Sequence, residues 1–267
     1  MTRVVILGAA GRMGQTLIRC AGRTPGIVLV AAIERKGHPH VGRDAAETAG
    51  LPPSGLRIRD EWDASAGADA AIDFTLHDAV PRNVRQAVDL GVAMVIGTTG
   101  LNADETSVVR EAGFRIPIVW FPNMSLGVGL LLAMARRASQ VLGADYRVEI
   151  DETHHVHKKD APSGTALLFG EFVAEARRQD PARVLAHDPE GKERLRDAGK
   201  IVIRSHRRGE VVGDHTVAFE NEDEKIEFTH HAWNRDAFAV GALRAAQWAA
   251  TRRPRLYDML DVLGLSV

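Results

Sequence analysis

The sequence predicts an α/β chain in two parts: a parallel-sheet domain wrapped by helices, and a smaller α+β domain on an open mixed sheet. Three observations carry that prediction. From residue 3 to residue 121 a short apolar run, a glycine-containing turn and a helix-like segment recur, which is the rhythm of βαβ units. Most of the runs are nearly all apolar, as strands covered on both faces require. After Ser125 apolar residues begin to alternate with polar ones, the period-two pattern of a sheet with one wet face.

In order, the first part offers as strands "RVVIL" (3–7), "IVLVAAI" (27–33), a weak "LRIRD" (56–60), "ADAAIDF" (68–74), "AMVIGTT" (93–99) and "IPIVWF" (116–121). The apolar stretch from Gly127 to Leu142 reads as a helix. In "YRVEIDE", Tyr146, Val148 and Ile150 alternate with Arg147, Glu149 and Asp151. "KIVIRSH", "EVVGDHTVAFE" and "DEKIEFTHHAW" repeat the alternation; in the last, Ile226, Phe228 and His230 face one way, Lys225, Glu227 and Thr229 the other. The polar, weakly periodic stretch from Asp180 to Gly199 reads as a surface loop. From Arg235 the chain turns helical again in "DAFAVGALRAAQWAATRR", whose Ala-rich spacing suits packing on the first domain. The expected division is 1–125 with 235–267 against 126–234, with a hinge near Ser125 and Trp233–Arg235 that closes on substrate.

Composition narrows the function. The 267 residues carry a formal net charge of −1 with 26% charged residues, so neither a basic field for nucleic acid nor an acidic tail is present. No apolar run reaches the ~20 residues of a membrane span, and the opening residues lack the regions of a signal peptide. Cys20 is the single cysteine, which excludes a disulfide framework and a thiolate metal cluster. The expectation is a cytoplasmic chain, without nucleic-acid or membrane partners, that handles a small molecule.

"RVVILGAAGRMG" places Gly8, Gly11 and Gly14 after an apolar strand and at the opening of a helix. Glycines permit the tight turn and close backbone approach, and a helix start presents N–H groups and partial positive charge to a pyrophosphate. The spacing, G-x-x-G-x-x-G, is one residue longer than the commonest dinucleotide fingerprint. Glu34 ends the second apolar run about twenty residues further on, where a carboxylate accepts the ribose hydroxyls. Arg35 and Lys36 follow it, a carboxylate and two cations that suit NADH through Glu34 and the extra phosphate of NADPH through Arg35, the alternative for Arg35 and Lys36 being an ordinary solvated loop; use of either cofactor is expected. The part is therefore Rossmann-like. "GTTG" (97–100) and "FPNMS" (121–125) follow strand ends, where an open α/β sheet forms its ligand crevice.

"DETHHVHKKDAPSGTAL", residues 151–167, crowds three histidines and two lysines ahead of a turn and a helix start. His154, His155 and His157 have ligand chemistry, but no carboxylate or thiolate is spaced to close a metal site and successive residues of an extended chain diverge. As a hydrolase, Ser163 lacks the G-x-S-x-G elbow. The remaining reading is a pocket for an acidic substrate. His154 and Lys158, four apart, share a side whether the segment is extended or helical; His155 and His157 line another wall if it is extended. Ser163, Gly164 and Thr165 sit at the mouth of a helix, where unpaired N–H groups and hydroxyls bind carboxylates.

Taken in order, "VVILGAAGRMG", "ER" at Glu34 and Arg35, "AIDFT", "VIGTTG", "PNMSLGV", "THHVHKKDAPSGTAL" and "GDHTVAFE" resemble the 4-hydroxy-tetrahydrodipicolinate reductases, also known as dihydrodipicolinate reductases, over essentially the whole chain. The resemblance implies NAD(P)H-dependent reduction of a cyclic dicarboxylate in the diaminopimelate route to lysine. It places cofactor contacts on Gly8, Ala9, Ala10, Gly11, Arg12, Met13, Glu34, Arg35, Gly97, Thr98, Thr99, Phe121, Pro122, Asn123 and Met124. It makes His154 the acid/base, His155 a substrate histidine, Lys158 the catalytic lysine, and Gly164 with Thr165 the carboxylate-binding pair. Phe121 departs from the family's usual alanine. The resemblance also implies a homotetramer built through the sheet of the second domain. Two other classes stand beside this one: an aspartate-type NAD(P)-dependent dehydrogenase, and a nucleotide sensor without catalysis.

Overall fold

A computed structural model of the protein describes residues 1–188 and 199–265. In chain order the elements are β1 (Thr2–Leu7), α1 (Arg12–Ala21), β2 (Ile27–Ile33), α2 (Ala45–Thr48), β3 (Ile58–Arg59), β4 (Ala70–Asp73), α3 (Val80–Leu90), β5 (Ala93–Ile96), α4 (Ala103–Ala112) and β6 (Pro117–Trp120). They continue as α5 (Leu126–Leu142), β7 (Arg147–His154), α6 (Gly164–Ala176), α7 (Pro181–Val184), β8 (Leu185–His187), β9 (Ile201–Arg207), β10 (Gly213–Glu220), β11 (Lys225–Ala232), α8 (Asp236–Ala249), β12 (Arg255–Tyr257) and α9 (Met259–Leu263). Two compact units result: Met1–Leu126 with Arg235–Leu265, and Gly127–Asn234.

The first unit is a seven-stranded sheet in the order β12-β6-β5-β4-β1-β2-β3, parallel throughout. All four residues of β4 and of β5 are buried, which is why those runs show no alternation. Local chemistry sets the helix ends. Asn102 and Glu105 form a capping box on α4, and α3 stops at Gly91, left-handed at φ 65°. α8 packs on β4, β5 and β6 and against α1. Because β1 lies between β2 and β4, the chain leaves β1 and β4 toward opposite sides, and a crevice opens beyond their C-terminal ends.

The second unit is a mixed five-stranded sheet in the order β11-β10-β7-β9-β8, with β10 antiparallel to both neighbours and β9 parallel to β7 and β8. α6 covers β7, β8 and β9. Along β7 the buried phase is Val148, Ile150, Glu152 and His154, so a carboxylate and an imidazole complete a face begun by aliphatic side chains.

Two expectations need correction. The stretch from Asp180 to Gly199 is not simply a loop: Asp180 caps α7 through the Ala182 N–H, and Leu185–His187 joins the sheet as β8; the rest of that prediction, 189–198, lies outside the described residues. The first sheet also has a seventh strand, β12, that periodicity does not reveal, because "RLY" is too short and sits beyond Arg-Arg-Pro-Arg.

Candidate active site

In the first unit the glycine turn is built as a cradle. Gly8 adopts φ 78°, and Gly11 caps α1 with no side-chain hydrogen bond. A Cβ on Gly14 would lie 2.1 Å from the Gly8 carbonyl oxygen and 2.7 Å from Ala9, so only glycine lets α1 approach the turn this closely. Gly14→Ala should therefore displace the turn and cost more than the usual ~1–3 kcal/mol of overpacking. NADH titration of the variant should show binding weakened more than tenfold, by roughly the 1.4 kcal/mol per decade of affinity.

Glu34, at the end of β2, turns its carboxylate back on the turn: Ala10 N–H donates to Oε2 at 3.1 Å and Arg35 N–H to Oε1 at 2.9 Å. Gly8, Ala10, Gly11, Glu34 and Arg35 share the wall of a cleft of about 900 Å³. Gly97 to Thr99 and Phe121 to Met124 stand outside that wall, after β5 and β6. Thr98 is tied to it indirectly, its hydroxyl donating to the Thr75 carbonyl at 3.1 Å, and Thr75 lines the cleft. Ala9, Phe121 and Met124 are buried, Arg12 and Thr99 exposed. Asp73, at the end of β4, is a residue the sequence reading missed. It is fully buried and accepts from the Thr75 N–H (2.8 Å), the Thr75 hydroxyl (2.7 Å) and Asn83 Nδ2 (2.8 Å). Burial pushes its carboxyl above the usual range against the pull of those donors. The cradle, the uncapped helix start and the carboxylate at the end of β2 fit a nicotinamide dinucleotide.

In the second unit β7 ends at His154, and a turn at Val156 and His157 follows, closed by Lys158 N–H to the His155 carbonyl at 3.1 Å. The extended geometry considered for His155 and His157 is thus replaced by a turn, with the two rings 6.0 Å apart and His157 exposed beside Glu210 at 3.4 Å. Lys158 Nζ lies 2.7 Å from Asp160. Ser163 caps α6, its oxygen accepting the Ala166 N–H at 3.1 Å and lying 3.1 Å from His215 Nε2. With its hydroxyl engaged on both sides and 1% exposure, Ser163 shapes the helix mouth from behind. Gly164 is exposed and Thr165 partly so.

Behind His154 stands a buried polar cluster that the sequence reading did not assemble. His154 Nδ1 is 2.5 Å from Glu152 Oε2, and the Ser163 N–H donates to Glu152 Oε1 at 3.1 Å. Arg207 Nη1 donates to both Glu152 oxygens at 3.1 Å. Burial opposes the charge of Glu152, but hydrogen bonds from His154 and Ser205, the nearby His154 charge and Arg207 hold its carboxyl down at about 2. Glu152 and His154 share the phase of Val148 and Ile150 on their strand, Arg207 that of Ile201 and Ile203, and His215 that of Val217 and Phe219. A polar residue in an apolar phase was the signal available.

His215 is 3% exposed, 5.2 Å from the His154 ring and 5.9 Å from Phe169. Burial first, then the His154 charge, with further contributions from His230 and Lys158, outweighs the attraction of Glu152 and lowers its pKa to about 3. Between pH 3 and 6.5 the unfolded chain therefore binds a proton that the folded chain refuses. Its contribution to stability is complete above about pH 6.5 and is lost as pH falls. Urea unfolding at pH 5 should show this as a loss of about 2 kcal/mol relative to pH 7, absent in His215→Gln.

Residues 2–124 match the family described as Dihydrodipicolinate reductase, N-terminus, and residues 127–263 that described as Dihydrodipicolinate reductase, C-terminus. A 4-hydroxy-tetrahydrodipicolinate reductase of Anaeromyxobacter dehalogenans is 48% identical over 266 residues, 99% of this chain and 98% of its own length. One of Alkalilimnicola ehrlichii is 46% identical over 265 residues, 99% of each chain. Among solved structures, the dipicolinate-bound dihydrodipicolinate reductase of Paenisporosarcina sp. TG-14 has a TM-score of 0.76 at 25% identity over 98% of both chains. With both halves matched and relatives near half identical over almost their full length, the chain belongs to the dihydrodipicolinate reductase family.

Proposed function

We propose that this protein reduces 4-hydroxy-tetrahydrodipicolinate to tetrahydrodipicolinate and water, using a nicotinamide dinucleotide, in the diaminopimelate route to lysine. The observation that carries the reading to this chain's own residues is Glu152, whose one carboxylate contacts both His154 Nδ1 and the Ser163 N–H. It fixes a proton carrier beside a helix mouth suited to a carboxylate.

The nicotinamide, when bound, supplies the hydride. The first-turn N–H groups at Gly164 and Thr165 hold one substrate carboxylate, as helix starts do for anions. Lys158 faces the other carboxylate and the ring nitrogen, where its positive charge withdraws electron density as negative charge develops. His154 or Lys158 delivers the proton that completes the reduction, and His155 lines the substrate. Gly8 to Met13, Glu34, Arg35, Gly97 to Thr99 and Phe121 to Met124 form the cofactor site in this reading. Tetrameric assembly through the second sheet and a cytoplasmic compartment belong to it too; among the described residues no helix is long and apolar enough to cross a membrane.

Pyridine-2,6-dicarboxylate, which the Paenisporosarcina relative holds, tests the substrate class. It should inhibit NADPH oxidation competitively with freshly generated cyclic substrate; no inhibition contradicts the reading. Both cofactors are expected to work, NADH through Glu34 and NADPH through Arg35. A hydrogen bond to a charged group is worth about 1.5–3 kcal/mol, so Arg35→Ala should raise the KM for NADPH by ~10–100-fold and leave that for NADH unchanged. An unchanged NADPH value removes Arg35 from that role.

A further inference from the structure

The proton carried by His154 has to sit on a defined nitrogen, and the cluster behind the ring decides which. Glu152 is fully buried and held as a carboxylate, which can only accept hydrogen bonds. Its Oε1 takes the Ser163 N–H and Arg207; its Oε2 takes Arg207 and faces His154 Nδ1. A contact of 2.5 Å between that oxygen and Nδ1 is therefore a hydrogen bond in which the imidazole donates. The other nitrogen, Nε2, lies over Gly213, where a Cβ would come within 3.1 Å of it; glycine keeps that side open.

Arg207 links this cluster to the lysine. Its Nε donates to the Lys158 carbonyl at 3.3 Å and its Nη2 to the Asp160 carbonyl at 2.5 Å, while Nη1 holds Glu152. One guanidinium thus spans the histidine's carboxylate and the backbone on both sides of Lys159, a fork that an ammonium cannot reproduce. The charged and titratable groups around His154 are then Glu152 from β7, Arg207 from β9, His215 from β10 and Lys158 from the loop.

We propose that the Glu152–Arg207 pair is the positioning unit of this site: Glu152 holds one proton of His154 on Nδ1, so that the proton the ring takes up from solvent and delivers to substrate is the second one, on Nε2, and Arg207 holds the Lys158 loop in register with it. The proposal rests on the reading of His154 as proton carrier. It has a readout that a merely structural carboxylate would not move, because Glu152→Gln retains size and the hydrogen bonds to one oxygen, gives up the Arg207 bond to the other, and reverses the tautomer. In that variant the amide oxygen satisfies the Ser163 N–H and Arg207, which turns the amide NH2 toward Nδ1 and drives the ring proton to Nε2. In a serine-protease triad the analogous acid-to-amide exchange costs ~10⁴ in turnover.

The experiment is long-range proton–nitrogen NMR of histidine-labelled protein, with His154→Gln assigning the resonances, alongside kcat and the dissociation constant of pyridine-2,6-dicarboxylate. With the ring in its neutral form, the expected result is a His154 proton on Nδ1 in the wild type and on Nε2 in Glu152→Gln. In that variant kcat should fall ~10²–10⁴-fold while inhibitor binding changes less than about threefold. Arg207→Lys should lower kcat as well, without the tautomer change. Wild-type His154 protonated on Nε2, or a Glu152→Gln protein with unchanged tautomer and turnover, overturns the proposal. The wild-type tautomer decides it even if Glu152→Gln fails to fold. If His154→Gln keeps full turnover, the reading of His154 as proton carrier fails instead, and the wild-type tautomer still tests what Glu152 does to the ring.

Discussion

Lys158→Ala and His154→Gln should each lower turnover by ~10²–10⁴-fold, the usual contribution of a positioned acid or cation, with NADH binding unchanged. The expectation for Lys158 depends on how firmly Asp160 holds its ammonium. Their side chains are 21% and 63% exposed, and a pair so open to water is worth no more than about 1 kcal/mol. An incoming carboxylate can share or displace it, since the ammonium has three donors. For His154 the expectation depends on the ring being held from behind with Nε2 toward substrate; a glutamine amide there can hydrogen-bond but cannot act as an acid or base. Steady-state kinetics with both cofactors, and NADH titration of the free proteins, check the pair. Wild-type turnover in both variants would remove the acid-and-cation assignment.

The second large effect concerns stability. Arg207→Met should destabilise the fold by about 3–5 kcal/mol, the cost of leaving one partner of a buried pair without its counter-charge. Glu152 has no solvent access and loses the donor that touches both its oxygens. The wild-type carboxyl, held at about 2 against an ordinary 4.5, contributes stability that is complete above about pH 4.5 and lost as pH falls toward 2. Chemical denaturation at neutral pH should show the full loss in Arg207→Met, and Glu152→Gln on that background should recover part of it. If Arg207→Met unfolds at the wild-type midpoint and slope, the pair is not the support described here.

The parallel strands were legible because burial on both faces leaves apolar runs such as "AMVI", and the glycine turn because close approach at Gly14 admits one residue type. β12 was not legible, since three residues supply no period and the strand exists only through its partner β6. The same holds for β8, whose pairing with β9 lies across a polar connection. At the candidate site, His154, Lys158 and the Ser163–Thr165 helix start were visible in one stretch, while Glu152, Arg207 and His215 come from three strands and meet only on folding. Asp73 escaped for a related reason: its donors Thr75, Asn83 and Thr98 lie after β4, within α3 and after β5, and an acidic residue at a strand end says nothing alone about what it holds. Ser163 shows the converse, a hydroxyl that looked available for substrate and is engaged with Ala166 and His215.

The most direct test is a crystal structure of the protein with NADH and pyridine-2,6-dicarboxylate. One carboxylate is predicted on the N–H groups of Gly164 and Thr165, the other within reach of Lys158 Nζ, and His154 Nε2 is predicted to face the ligand. A dicarboxylate bound away from Lys158 and α6, or a metal ion held by the imidazoles of His154 and His155, would contradict the account.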